Sequence, residues 1–326
     1  MRWRSTALGV LAVFLSAGLA IGADDNYPSR PIRIISPYAA GGSNSILGRL
    51  IADRLQPILG QPGIVENRTG ANGIIGADYV AKSKPDGYTL FVSNSSSHAL
   101  NPHLYKNIPY NADNDFTPIS LITSVPLVLI VHPSNPANTL QEFIANAKRE
   151  RIKEGVTFGS PGVGGTPHLA GELFRLQTGL DMVHVPYSGD APAITAVVAN
   201  QITCAFAVLT SALPQIKAGR LKALAVTGTA RSPALPDVPA MSEAGLTGFE
   251  IGSWFGISGP AGMPPLVVNR LSAAITQILK TPDVAKKVRT QGGEAMPTSP
   301  AEFKAFIARS YDSFGKAVQA ANLKLD

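Results

Sequence analysis

The sequence predicts an α/β protein in which two similar lobes, each a mostly parallel sheet flanked by helices, face one another across a cleft. Strand-like runs rich in branched residues alternate with amphipathic helical runs, which is the rhythm of βαβ units. The rhythm restarts half-way along the chain. Both halves also open alike: a strand, Ser-Pro, small residues, Gly-Gly, then a helix.

The chain has 326 residues and is 45% hydrophobic, enough for one or two domains with a real core. It opens with the basic MRWR, then the apolar STALGVLAVFLSAGLAIG, then the polar DDNYPSRP. That layout predicts a secretory signal peptide over residues 1–23, cleaved between Ala20 and Asp24. The apolar run is borderline for a membrane anchor, and the small residues at its end favour cleavage. No cysteine follows it, so a lipoprotein is not expected. Loss of Arg2 and Arg4 takes the formal charge from +6 to +4. The remaining positive charge is scattered, with no basic stripe for nucleic acid. Cys204 is the single cysteine, so no internal disulfide forms, and it reads as a small buried hydrophobe. No later segment is apolar for about 18 residues, so the mature chain is expected to be soluble.

In the first half IRIIS, GIVENR, YTLFVS and ISLIT read as strands. ILGRLIADRLQPIL is a helix with Ile46, Leu47, Leu50, Ile51 and Leu55 on one face, and IIGADYVAKS is a second, opened by RTGANG. In the second half VTFGS, MVHVPY and ITCAFAV are strands, with the helices LAGELFRLQTG and APAITAVVAN between them. GFEIGSWFGISGPA returns as a strand to the first lobe, and three helices that open with proline close the chain. The lobes are expected at 24–123 with 248–326, and at 124–247. Hinges are expected at Leu121–Pro126 and Gly245–Trp254.

Ligands of open α/β sheets sit at the carboxyl ends of the strands, so the two Gly-Gly turns should line opposite cleft walls. Neither turn is a nucleotide loop. Gly159, Gly164, Gly165 and Thr166 fit G-x-x-x-x-G-K-[ST] except that Gly165 stands where lysine is required, and the dinucleotide pattern fails at Pro167. What remains suits an anion: N–H groups at a helix N-terminus, glycines that permit close approach, and the neutral groups of Ser43, Asn44, Ser45, Ser160 and Thr166. A neutral donor set suits a carboxylate held reversibly, because no buried cation is stranded when it leaves. The alternative is that these residues only shape turns and cap helices, Ser45 being a natural N-cap.

Catalytic and metal motifs are missing. The nearest approach to G-x-S-x-G breaks at Pro260, and His168 and Glu172 lack the second histidine of a zinc motif. No cofactor is expected. His98, in SNSSSHALN after a first-lobe strand, and His168, at the start of a second-lobe helix, could reach the cleft. His103, His132 and His184 read as surface, turn or strand residues. Tyr38 lies in the first turn and Tyr187 ends the VPY strand, where a phenol could cover a ligand or pack the rim. Trp254 reads as hinge or core, with contact to a ligand as the alternative.

The stretches YPSRPIRIISPYAAGG, GQPGIVENRTGANGIIGADYVAKSKPDGYTL, TPHLAGELF, HVPYSG, RSPALPDVPAMSEAGL and WFGISGPAGMP resemble the tripartite tricarboxylate transporter receptor family, also called the Bug family of periplasmic solute-binding proteins. The resemblance spans Tyr27 to the C-terminal helix. It implies a type II periplasmic binding fold, a two-lobed clamp that binds a carboxylated solute and delivers it to a membrane permease. It further implies that the turns over Tyr38–Ser45 and Ser160–His168 cradle a carboxylate, partly through water. The ligand-binding set is then Tyr38, Ala40, Gly41, Gly42, Ser43 and Ser45 from the first turn. Ser160, Gly164, Gly165, Thr166 and His168 come from the second, with Tyr187 nearby. Asn94, Ser95 and His98, with Leu209 from the stretch Ala207–Thr210, would read the far end of the ligand.

Two departures from the family stand out. Ser45 replaces the usual aspartate of Gly-Gly-x-x-Asp, and the family often has aspartate at the Cys204 position and a polar residue near Val208. An apolar pocket floor favours an aromatic or long-chain carboxylate over a small amino acid; di- and tricarboxylates remain in the expected set. The protein is expected to be a periplasmic monomer and not an enzyme. The rival readings are an exported hydrolase or isomerase using Ser95 or Ser96 with His98, and a receptor that serves sensing instead of uptake.

Overall fold

The computed structural model describes residues 26–150 and 155–325. The expected signal peptide lies outside the described residues. Among those described, no helix is long and apolar enough to cross a membrane.

The first half builds β1 (Ile32–Ser36), α1 (Ser43–Leu59), β2 (Gly63–Asn67), α2 (Ile74–Ala81) and β3 (Thr89–Asn94). β1 pairs in parallel with both β2 and β3. α1 buries Leu47, Leu50, Ile51 and Leu55 on one stripe, each worth about 1.5–3 kcal/mol when fully removed from water. Gly60 ends it in the left-handed conformation that glycine adopts without steric cost. After β3 the chain makes a π-helical turn over Ser96–Leu100 and a short α3 (Asn101–Leu104).

β4 (Phe116–Val131) is 16 residues long and belongs to both lobes. ISLIT, expected as a strand by itself, is its middle. Up to Pro126 it pairs antiparallel with β9 (Gly252–Pro260) of the first lobe. From Leu127 it pairs with β7 (Cys204–Val208) and β8 (Lys222–Val226) of the second. Its second half, Leu127 to Val131, is fully buried, as expected for a strand covered on both faces.

The second lobe holds α4 (Leu140–Glu150), β5 (Val156–Ser160), α5 (Thr166–Thr178), β6 (Met182–Pro186), α6 (Asp190–Val198) and α7 (Leu209–Lys217). The tail after β9 is α8 (Pro265–Lys280), α9 (Pro282–Thr290), the short β10 (Glu294–Ala295) and α10 (Pro300–Ala321).

The internal repeat expected from the two Gly-Gly turns is present in the sheets. The first lobe runs β2-β1-β3-β9-β4; the second runs β6-β5-β7 and then β4 with β8 beyond it. In each, three parallel strands are followed by two antiparallel ones. The turns repeat in backbone conformation too. Gly41 and Gly164 are both left-handed, at φ +83° and +79°, and Gly42 and Gly165 are both extended N-caps, at φ −81° and −74°.

β4 changes partners from β9 to β7 and β8 at Pro126–Leu127, and residues 227–251 lead from β8 back to β9. Thr227 holds the crossing at Leu127 from both sides: its hydroxyl accepts the Leu127 N–H at 2.8 Å, and its own N–H donates to the Leu127 carbonyl at 2.9 Å.

Candidate functional site

Because β1, β3, β5, β6 and β7 run the same way within their lobes, the segments leaving them meet at the cleft. The N-termini of α1, α5, α6 and α7 and the turn at Ser95–Ser96 all reach it. None of those four helices carries a side-chain cap at its N-terminus, whereas α10, starting at the surface, has a full capping box between Ser299 and Glu302. The cleft therefore holds N–H groups that the helices do not satisfy internally. Tyr38, Asn44, Asn94, Ser95, Ser96 and Asp190 supply its polar walls, and Phe255, Val208, Pro161 and Pro167 its apolar ones. Among the described residues that line it there is no lysine or arginine, and Asp190 is the one carboxyl.

The lobes are closed on each other. Ser95 Oγ lies 2.9 Å from Thr166 Oγ1, and the Thr166 N–H donates to Ser96 Oγ at 3.3 Å. Ala39 N–H donates to the Ser188 carbonyl at 3.2 Å, and Tyr105 O–H to the Val163 carbonyl at 2.7 Å. Ser43 Oγ is 2.7 Å from Ser211 Oγ. The cavity left between the lobes is about 20 Å³, room for roughly one water. A four- or six-carbon acid enters only if the lobes part. Larger concavities lie elsewhere, including one of about 610 Å³ lined by His98, Tyr110 and Tyr311. The cleft is singled out by its converging donors, not its volume.

The residues expected at the site divide into three groups. Tyr38, Asn94 and Ser95 line the cavity, while Ser43 and Thr166 make contacts across the lobe boundary. The Tyr38 hydroxyl donates to Asn72. Ala40 and Gly41 lie at the exposed rim, and Gly42, Gly164 and Gly165 form the turn backbones. The remaining side chains serve the walls. Ser45 is not the N-cap, which is Gly42; its hydroxyl donates back to the Gly42 carbonyl at 3.1 Å. Ser160 Oγ bonds Gly162 and sits 2.7 Å from His184 Nε2. His168 accepts the Gly164 N–H on Nδ1 at 3.0 Å and stacks on His184 at 3.8 Å, so it shapes the turn. Burial pushes the pKa of His168 down to about 4. Tyr187 is half-buried, packs on the core and does not line the cavity. Leu209 packs against Gly292.

His98 does not reach the cleft. Its ring lies among Phe91, Phe116 and Trp254, with Nδ1 2.9 Å from Ser97 Oγ and Nε2 buried without a partner. Burial holds its pKa down to about 3. Ser95 bonds Thr166 instead, and Ser96 accepts from Thr166, so the nucleophile–base pair considered for a hydrolase is not assembled. Cys204 is also misplaced by the sequence reading. It begins β7, whereas Val208 at the other end of that strand lines the cleft, so Cys204 is not on the pocket floor.

Sequence reasoning missed Asp190. An acid in the first turn of a helix is ordinary, which hid it. In the fold it is 6% exposed, and its carboxylate accepts from Ser211 Oγ at 3.2 Å, Ser43 Oγ at 3.4 Å and the Val208 N–H at 3.5 Å. Burial pushes its pKa up to about 6, with those donors opposing the shift.

Comparison with known proteins fits this geometry. Residues 47–323 match the family model described as tripartite tricarboxylate transporter family receptor. The chain belongs to that receptor family. The receptor is 35% identical to protein BugT of Bordetella pertussis, over 98% of each chain. Its fold matches R. palustris Rpa4515 with adipate at a TM-score of 0.88 and 33% identity, covering 91% of this chain and 99% of that one. It matches MatC of Rhodopseudomonas palustris with bound malate at 0.84 and 30%, covering 90% and 100%. The receptor thus has the two-lobed α/β fold of periplasmic binding proteins, as the sequence resemblance implied.

Proposed function

We propose that the receptor captures a small carboxylate-bearing solute between its lobes and passes it to the membrane permease of a tripartite tricarboxylate-type transporter. The observation that carries this reading is the convergence of N-terminal N–H groups from both lobes on a cleft whose lining has no cation. Such an array stabilises negative charge by unpaired donors and helix dipoles. It also releases the solute without stranding a buried positive group. The adipate and malate complexes of related receptors support a carboxylate as the ligand. The same reading places the processed protein in the periplasm as a monomer that performs no chemistry on its solute. Opening about the crossings at Pro126–Leu127 and residues 227–251 admits the ligand.

A thermal-shift screen of protein unfolded and refolded free of solute tests it, using dicarboxylates, citrate, hydroxy acids, amino acids and aromatic acids. A binder of the folded state raises Tm with concentration. A dose-dependent shift with one chemical group, the acid recovered unchanged, is the expected result. No shift with any acid after refolding refutes the carboxylate assignment, and turnover of the acid refutes the receptor reading.

A further inference from the structure

Among the described residues Asp190 is the one carboxyl lining a cleft otherwise built for an anion, and it sits where the lobes meet. Gly42, the N-cap of α1, is its neighbour: a Cβ there would lie 3.9 Å from the Asp190 Cβ. Its partners come from both lobes, Ser43 from the first and Ser211 and Val208 from the second.

Proton counting shows that these partners leave the carboxylate short of donors. Ser43 and Ser211 bring two hydroxyl protons to three contacts: their mutual one at 2.7 Å, and those to Asp190 Oδ2 at 3.4 and 3.2 Å. The short contact takes one proton, so Oδ2 receives one hydroxyl at most. The Val208 N–H stands off from Oδ1 at 3.5 Å, and the Ser43 backbone N–H is a further donor toward the carboxylate. An ionised carboxylate has about four acceptor positions, of which one hydroxyl and the Val208 and Ser43 N–H groups fill three at most, and the contacts of 3.2–3.5 Å are long for charge-assisted bonds. No arginine or lysine lines the cavity to make up the difference.

We infer that Asp190 is a specificity-determining residue: its under-supplied carboxylate selects acids that also carry a hydrogen-bond donor, hydroxyl or ammonium, over plain acids of equal length. The ligand's carboxylate is held by the helix N-termini and its donor group turns to Asp190. A plain second carboxylate beside Asp190 would instead meet a like charge out of water, which is unfavourable. This inference rests on the carboxylate-receptor reading and adds the chemistry of the solute's second polar group. It adds a polar group to a cleft that keeps Val208 and Phe255 as apolar lining, although Cys204 lies away from it.

The test is calorimetric titration of the refolded receptor with matched acids: succinate against malate, propionate against lactate and alanine, and 3-phenylpropionate against phenyllactate. The wild type is expected to prefer the donor-bearing member of the pairs it binds by tenfold or more. Asp190→Ala, which removes both acceptor oxygens, is expected to bring each pair within threefold. Asp190→Asn, a near-isostere less apt to disturb folding, is expected to weaken chiefly the ammonium compounds. Pairs within threefold in the wild type, or a preference unchanged in both variants, would overturn the inference while leaving the receptor reading standing. Failure of every acid to bind would remove the receptor reading and this inference together.

Discussion

Asp190 and His98 are buried ionisable side chains that respond to acid in opposite senses. The Asp190 carboxyl titrates near pH 6 in the fold, against an ordinary 3.8. Below 3.8 both folded and unfolded forms are protonated. As pH rises toward 6 the unfolded chain ionises first, so stability is lost and stays lost above 6. Asp190→Asn is therefore expected to raise stability at pH 7 by up to about 3 kcal/mol, with the gain gone at pH 3.5. Thermal melts at the two pH values check it, and an equal gain at both would refute the buried-carboxylate account. For His98 the folded pKa is about 3, against 6.5. As pH falls below 6.5 the unfolded chain takes up the proton first, costing about 2 kcal/mol by pH 5. Phenylalanine suits a site walled by Phe91, Phe116 and Trp254. His98→Phe should therefore lose less stability between pH 7 and 5 than the wild type, as read by denaturant melts. An identical loss would place the acid sensitivity in His168 and His184, which burial also holds low.

Among the elements, α5 depends on close approach to β5. A Cβ on Gly171 of α5 would come within 2.1 Å of the Phe158 ring, which is fully buried and cannot swing aside. Gly171→Ala is expected to destabilise by about 1–3 kcal/mol despite the better helix propensity of alanine. Urea denaturation checks this, and a neutral or stabilising result would mean that the helix shifts freely on its sheet. The approach also has a functional consequence, because it fixes where the α5 N-terminus delivers the Thr166 N–H. β4 plays the corresponding part between lobes, because one continuous strand pairs with β9 of the first sheet and β7 of the second.

For the whole molecule, closure rests on a few polar contacts at the very place where a solute would lie. Ser43 and Ser211 meet across the lobe boundary with their hydroxyl oxygens 2.7 Å apart. Oxidising the Ser43→Cys, Ser211→Cys double variant is expected to lock the cleft shut and lower the affinity for the solute at least a hundredfold, with reductant restoring it. Cys204, the one native cysteine, is fully buried and stays out of the exchange. Undiminished binding by the oxidised protein would show that the solute enters by another route. A further contact between the lobes is made away from the cavity, where the Thr210 hydroxyl donates to the Gln291 carbonyl at 2.9 Å.

The sequence by itself determined the βαβ rhythm, the repeated Gly-Gly turns, the proline-led tail helices and the family, because these rest on local periodicity, turn chemistry and ordered motifs. IRIIS and VTFGS needed only branched residues and a following Gly-Gly turn to be read as equivalent strands. The sequence does not distinguish α4 and α7 or join the apolar PLVLIV run to ISLIT, since short apolar runs do not separate strand from helix. Tertiary structure alone decided which side chains enter the cleft. Tyr38 and His98 both follow first-lobe strands, yet one lines the cavity and the other turns into an aromatic core, because a π-helical turn at Ser96–Leu100 rotates the side chains out of register. It also brought Asp190 to Ser43, 147 residues away. No local pattern encodes such a pairing, because the two residues belong to different lobes and meet only where those lobes face each other.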